Sequence, residues 1–241
     1  MHEFETFVYL DLQKTGSTFI MHLLRRFSSE RELINNPHAS VGKRYDAHKF
    51  HFISVRNPVD QYLSLYAFGC GGVGTLYNKM RKAGYDHLYN GTWAGFRNWI
   101  DLILDPENRR FLVAENREYE ASHTLLGVQS FRFLQLALQH PTDALAACKN
   151  RDDIRNLHSS KSIVNYTIRH EAFDSDFETL LTTKIPHAIS DVNAAIDFIK
   201  TAPRINTSDR FDRYEAGGGL GRIRRQRLQD REWLLSELFG Y

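Results

Sequence analysis

The chain has 241 residues, of which 42% are hydrophobic and 25% charged, with a formal net charge of +2. This is long enough for one sizeable α/β core and too evenly charged for a general polyanion binder, so any positive potential must be local. Two cysteines, Cys70 and Cys148, cannot build a disulfide framework, and no apolar stretch approaches the ~20 residues that a membrane span needs. The first twelve residues, MHEFETFVYLDL, lack a basic leader and a cleavage site and run straight into a strand pattern. They are read as no signal peptide, and a cytoplasmic location is expected.

Residues 7–12, FVYLDL, form a short aromatic and β-branched run that reads as a buried strand. It stops at Gln13-Lys14-Thr15-Gly16-Ser17-Thr18. A helical spacing, Phe19-Ile20 then Leu23-Leu24, follows at once and should continue to about Arg26. A strand that turns into a helix through a loop with one glycine and several hydroxyls aims backbone N–H groups and the positive helix end at one point. That is an anion site, and Lys14 adds a full charge. It is not a Walker A loop, because Lys14 precedes the glycine and the loop has no earlier one.

Residues 30–49 read as irregular, with a turn at Asn35-Asn36-Pro37. FHFISV, 50–55, is the second strand, and Pro58 is placed to open a helix running to about Phe68. GCGGVGT, 69–75, lacks dinucleotide-fingerprint spacing and reads as a flexible loop, a candidate lid. Thr92 should cap an amphipathic helix over 92–104, a polar surface excursion near the acceptor should occupy 105–121, and helices are expected over 124–139 and 143–157. SIVNYTI, 162–168, is the third strand, followed by helices at 174–181 and 189–199, a loop over 203–221 and a last helix over 220–238. The expected fold is α/β: one domain spanning 1–241, a P-loop-like parallel sheet flanked by helices on both faces, with helical insertions.

In a parallel sheet the C-terminal strand ends share one edge, so Arg56 should lie near Lys14 although far from it in sequence. Arginine offers a planar fork for a phosphate, and Ser64 a short directional donor. The loop after the first strand resembles the 5′-phosphosulfate loop of the sulfotransferases, K-[ST]-G-[GST]-[ST], with Gln13 where a proline is usual. FHFISVRNPVDQYLSLY resembles their 3′-phosphate segment, with Arg56 and Ser64 on the matching positions and Gln61 where arginine is common. Residues 166–177, from Tyr166 through Arg169 and Glu171 to Phe177, are similar to the family's strand–helix segment. Asn206-Thr207-Ser208 and the closing Phe-Gly-Tyr are similar to the C-terminal segment of its carbohydrate-type branch.

The resemblance implies a sulfotransferase that uses 3′-phosphoadenosine 5′-phosphosulfate (PAPS) and releases 3′,5′-ADP. Lys14 would meet the charge growing on the leaving oxygen, and the N–H groups of Gly16, Ser17 and Thr18, with the Thr15 and Thr18 hydroxyls, would hold the 5′-phosphate. Arg56 and Ser64 would hold the 3′-phosphate. His38 is the first candidate for the base, because Pro37-His38-Ala39-Ser40 resembles the family's K-H-[AV]-[ST] segment with lysine replaced. His48 and His51 are rivals, His51 having the character of a structural strand residue, and a glutamate base is a further alternative. The acceptor would be a saccharide hydroxyl or, less readily, an amine. No metal, nucleic acid or membrane span is expected.

Arg169 and Glu171 read as a structural ion pair; Arg222, Arg224, Arg225 and Arg227 read as a solvated helix face, with closure over the nucleotide as the alternative. Tyr85, Tyr89, Trp93 and Trp99 could stack on sugars, though such spacing fits a core. Two other readings are a P-loop-type nucleotide kinase and a non-catalytic nucleotide- or glycan-binding protein. The kinase would need a Walker-type loop and a Mg²⁺-holding carboxylate.

Overall fold

A computed structural model describes residues 1–111, 124–203 and 219–241. The sequence expectations at 112–121, at Asn206-Thr207-Ser208 and at Gly217-Gly218 therefore lie outside the described residues. Among the described residues there are five strands: β1 (His2–Glu3), β2 (Phe7–Leu10), β3 (Ile34–Asn35), β4 (Phe50–Val55) and β5 (Tyr166–Arg169). The helices are α1 (Ser17–Phe27), α2 (Pro58–Cys70), α3 (Thr75–Lys82), α4 (Trp93–Leu104), α5 (Val128–Ala137), α6 (Pro141–Ala146), α7 (Arg151–Lys161), α8 (Phe173–Thr179), α9 (Val192–Thr201), α10 (Arg222–Arg231) and α11 (Trp233–Phe239). None of the described helices is long and apolar enough to cross a membrane.

The chain divides into two compact units. The first holds residues 1–56 and 132–141 and the described residues from 156 to 203. Its sheet has the order β3-β1-β2-β4-β5. The core pairings are parallel, Phe7 beside Phe50 and Val55 beside Arg169. Phe7, Tyr9, Phe52 and Ile168 join Ile20 and Leu23 of α1, Phe177 of α8 and Ile199 of α9 in one apolar cluster. Val8, Leu10, Ile53 and Val55, which alternate with them along the strands, are buried as well. Burial on both faces explains why β2 reads as a continuous apolar run; in β4 the apolar residues alternate with His51 and Ser54, which are buried too.

The α/β expectation holds, with one correction: the sheet is mixed. β1 runs antiparallel to both β2 and β3. The segment read as irregular therefore contains β3, whose two residues are too few to show a period.

The second unit is helical and holds residues 57–131 and 142–155 and the chain from 207, so far as these are described. Tyr62, Tyr66, Phe96, Trp99 and Ile100 are fully buried at its centre, with Tyr89 beside them. Tyr89 and Trp99 are thus core residues here. Thr92 caps α4 as expected, its hydroxyl accepting from Gly95 N at 3.0 Å. Three expectations are corrected. Gly69 and Cys70 belong to α2, and the glycine makes room for the Tyr89 ring, which packs 2.2 Å from where a Gly69 Cβ would stand. The helix expected over 143–157 is broken, since Asn150 and Asp153 restart it as α7: Asp153 N donates to Asn150 Oδ1 and Asn150 N to Asp153 Oδ2. The last helix breaks at Glu232, whose buried carboxylate turns inward to accept from Tyr62 Oη and from the Gln129 and Ser130 N–H groups that open α5.

Candidate active site

The loop between β2 and α1 is shaped from inside. Thr15 is fully buried and its hydroxyl donates to Leu12 O at 2.7 Å. A hydroxyl has one proton, so at 2.6 Å Thr15 Oγ1 must accept from Ser54 Oγ, and Ser54 in turn accepts from Tyr9 Oη at 2.6 Å. The chain Tyr9–Ser54–Thr15–Leu12 ties the loop to both β2 and β4. The expectation that the Thr15 hydroxyl is offered to a ligand is corrected: it is turned inward, and any contribution of Thr15 to an anion comes through its main chain.

Pinned in this way, the loop carries Lys14 at φ 65° and Gly16 at φ 94°. Glycine suits the left-handed region at Gly16, and lysine does not at 14. Gly16 is the N-cap of α1 and supplies no side-chain cap, and the first turn of α1 holds no acidic residue. Phe19 N and Ile20 N both donate to Gly16 O, at 3.0 and 3.2 Å. The N–H groups ahead of them, at Gly16, Ser17 and Thr18, point out of the helix end with its positive dipole.

Parallel pairing brings the exits of β2, β4 and β5 to one sheet edge. Arg56 leaves β4 there, half-buried. The Lys14 ammonium is pushed below the usual lysine range, first by burial and then by the charge of Arg56. Two cations held close enough to repel each other, beside a helix N-terminus, form a region whose electrostatic strain an anion relieves. His170, just past β5, lines the same edge: its Cδ2 lies 3.7 Å from where a Gly16 Cβ would stand.

His38 stands three residues past β3, at φ 63°. Its Nδ1 is 3.0 Å from the Asp11 carbonyl and 3.3 Å from Asp11 Oδ2, and its side chain is 40% exposed. Burial opposes charge on this imidazole, but the Asp11 contacts outweigh it and the pKa is raised. Asp11 itself is pulled well below the usual carboxylate range. Burial would push it up, and hydrogen bonds from His2, His38 and Ser17 overcome that. Asp11 Oδ2 also lies 3.4 Å from His2 Nε2, and His2 Nδ1 lies 2.9 Å from Glu32.

The other candidates separate. His51 is buried on β4 beside Tyr45, with its pKa lowered by that burial. His48 is exposed in the turn before β4, its N–H on Asp46. Ser64 lies in the second turn of α2, half-buried, in the second unit. Arg169 forms a two-point pair with Asp176, both contacts at 2.9 Å, a partner the sequence reading did not name. Sequence reasoning also missed Asp11, Ser54 and His170. Only Asp11 carried a local signal, as the one charge in the run FVYLDL. Among the described residues, no three His, Cys, Asp or Glu side chains gather as metal ligands would.

The sequence model of the Sulfotransferase family matches residues 1–126, more than half of the chain. The chain belongs to the sulfotransferase family. The match runs from β1 through the Lys14 loop, His38, Arg56 and Ser64 to beyond α4, and it supports sulfuryl transfer as the chemistry. No match was found among curated proteins or among solved structures.

Proposed function

We propose that this sulfotransferase moves the sulfuryl group of PAPS to a hydroxyl of a saccharide, releasing 3′,5′-ADP. What supports the reading is that the parallel pairing of β2 and β4 brings the exits that carry Lys14 and Arg56 to one sheet edge at the N-terminus of α1, where the charge of Arg56 helps to lower the Lys14 pKa. The Gly16, Ser17 and Thr18 N–H groups hold the 5′-phosphate, Lys14 reaches the bridging oxygen, and Arg56 reads the 3′-phosphate. Ser64 is the motif's companion to Arg56, and its part rests on the motif alone.

In the reaction His38 takes the acceptor's proton. The acceptor oxygen bonds to sulfur as the bond from sulfur to the phosphate oxygen breaks in line, and the electron pair goes to that oxygen beside the Lys14 ammonium. Such a transfer depends on placement and charge stabilisation more than on covalent help. A second observation supports these roles. Lys14 and His38 are the only non-glycine residues at positive φ among the described residues, and backbone strain of this kind gathers at active sites. The saccharide acceptor rests on the likeness of the C-terminal segment to the carbohydrate-type branch.

The reading is tested by thermal melting and by transfer of labelled sulfate. 3′,5′-ADP should raise the melting temperature where ATP with Mg²⁺ does not, and label should pass from PAPS to members of a glycan panel. Stabilisation by ATP–Mg²⁺ alone would favour a kinase. Stabilisation by 3′,5′-ADP with no transfer to any acceptor would leave a binding protein.

A further inference from the structure

We propose that Asp11 is the positioning residue of His38: its carbonyl and carboxylate hold the Nδ1 proton, turn a bare Nε2 toward the acceptor and stabilise the imidazolium formed when that nitrogen takes the acceptor's proton. The inference rests on the reading of His38 as the base. His38 Nδ1 faces two oxygens of one residue, Asp11 O at 3.0 Å and Asp11 Oδ2 at 3.3 Å. A carbonyl cannot donate, and the Asp11 carboxyl is held ionised and cannot donate either. The proton between them therefore belongs to Nδ1, and a neutral His38 keeps its lone pair on Nε2. With one ring nitrogen anchored and the ring 40% exposed, the other nitrogen is the edge left to meet a substrate.

The carboxylate adds what the carbonyl alone cannot, a full negative charge that answers the positive charge arriving on the ring. Its surroundings keep it in place. The Asp11 side chain is only 4% exposed, His2 from β1 approaches Oδ2 at 3.4 Å, and Glu32 and Arg25 continue the network behind His2. The charged and titratable groups around His38 are Asp11 and the amino group of Met1; His2, Glu32 and Arg25 reach it through Asp11. Asp11 touches the proposed base and stands three residues before Lys14, at the entry to the loop proposed to hold the donor.

The test compares Asp11→Asn and His38→Ala with wild type, reading kcat, KM for PAPS, 3′,5′-ADP binding and the pH profile. His38→Ala should remove most activity. Asp11→Asn should lower kcat by ~10-fold or more, leave 3′,5′-ADP binding within about 3-fold and move the acid limb of the profile to lower pH. Wild-type activity in His38→Ala would overturn the base reading and this inference together. An inactive His38→Ala with an unaltered profile in Asp11→Asn would overturn the role of Asp11 alone. A readout independent of any variant's folding is the imidazole nitrogen spectrum of the wild-type protein. Neutral His38 should carry its proton on Nδ1, and a proton on Nε2 would overturn the proposal.

Discussion

Thr15 and Ser54 are 39 residues apart in sequence, and their hydroxyl oxygens are 2.6 Å apart in the fold. Ser54 accepts a hydrogen bond from Tyr9 and donates one to Thr15, so one small side chain carries a chain of bonds from the sheet into the Lys14 loop. Ser54→Ala should strand the buried Tyr9 hydroxyl without an acceptor and free the loop. We expect a loss of ~1–3 kcal/mol in stability, read by urea unfolding, with turnover lowered alongside it. A variant as stable as wild type would mean that the chain does not hold the loop.

Lys14→Ala removes the ammonium and leaves the backbone conformation unchanged in kind. Turnover with PAPS should fall by ~10²–10³-fold, as for loss of a transition-state charge donor. The melting temperature should stay close to wild type, since the side chain is only half-buried. Full activity in this variant would remove Lys14 from the chemistry.

Arg56→Ala should discriminate between nucleotides. A charge-assisted contact to phosphate is worth ~1.5–3 kcal/mol, or about 10- to 150-fold. That loss should appear for 3′,5′-ADP and be small for AMP, which has no 3′-phosphate. Calorimetric titration of both ligands against both proteins decides it, and equal losses would mean that Arg56 does not read the 3′-phosphate.

The pH dependence of kcat/KM follows from the signs of two shifts. As the proposed base, His38 would act when neutral, and its pKa is raised, so the acid limb should lie above the ordinary histidine value of about 6.5. In its proposed role Lys14 would act when charged, and its pKa is lowered, so the alkaline limb should lie below the ordinary lysine value of about 10.4. Both limbs are read from initial rates across pH. Lys14→Ala should abolish the alkaline limb from whatever rate remains.

What could be read in the sequence was local. The strand Phe7–Leu10 stands out because burial on both faces makes it a continuous apolar run, and Phe50–Val55 because its aromatic and β-branched residues alternate with His51 and Ser54. Lys14, Gly16 and Arg56 stand out because the loop and the strand exit are contiguous in the chain. β1 and β3 are two residues each and leave no period to find. The inward turn of Thr15 depends on Ser54, and the seat of His38 on Asp11, across separations that no spacing rule spans. The break at Glu232 was hidden for the same reason: the residues on either side keep a helical pattern, and the carboxylate turns inward only because α5 begins beside it.

If Lys14 and His38 act as proposed, the left-handed backbone at both sets durability against activity. An L-residue in that region carries a standing penalty of ~1–2 kcal/mol that glycine does not. Lys14→Gly and His38→Gly should therefore each melt no lower than the matching alanine variant, while being just as inactive. A library screened for heat resistance alone would drift toward glycine at both positions and return a sturdier, silent protein.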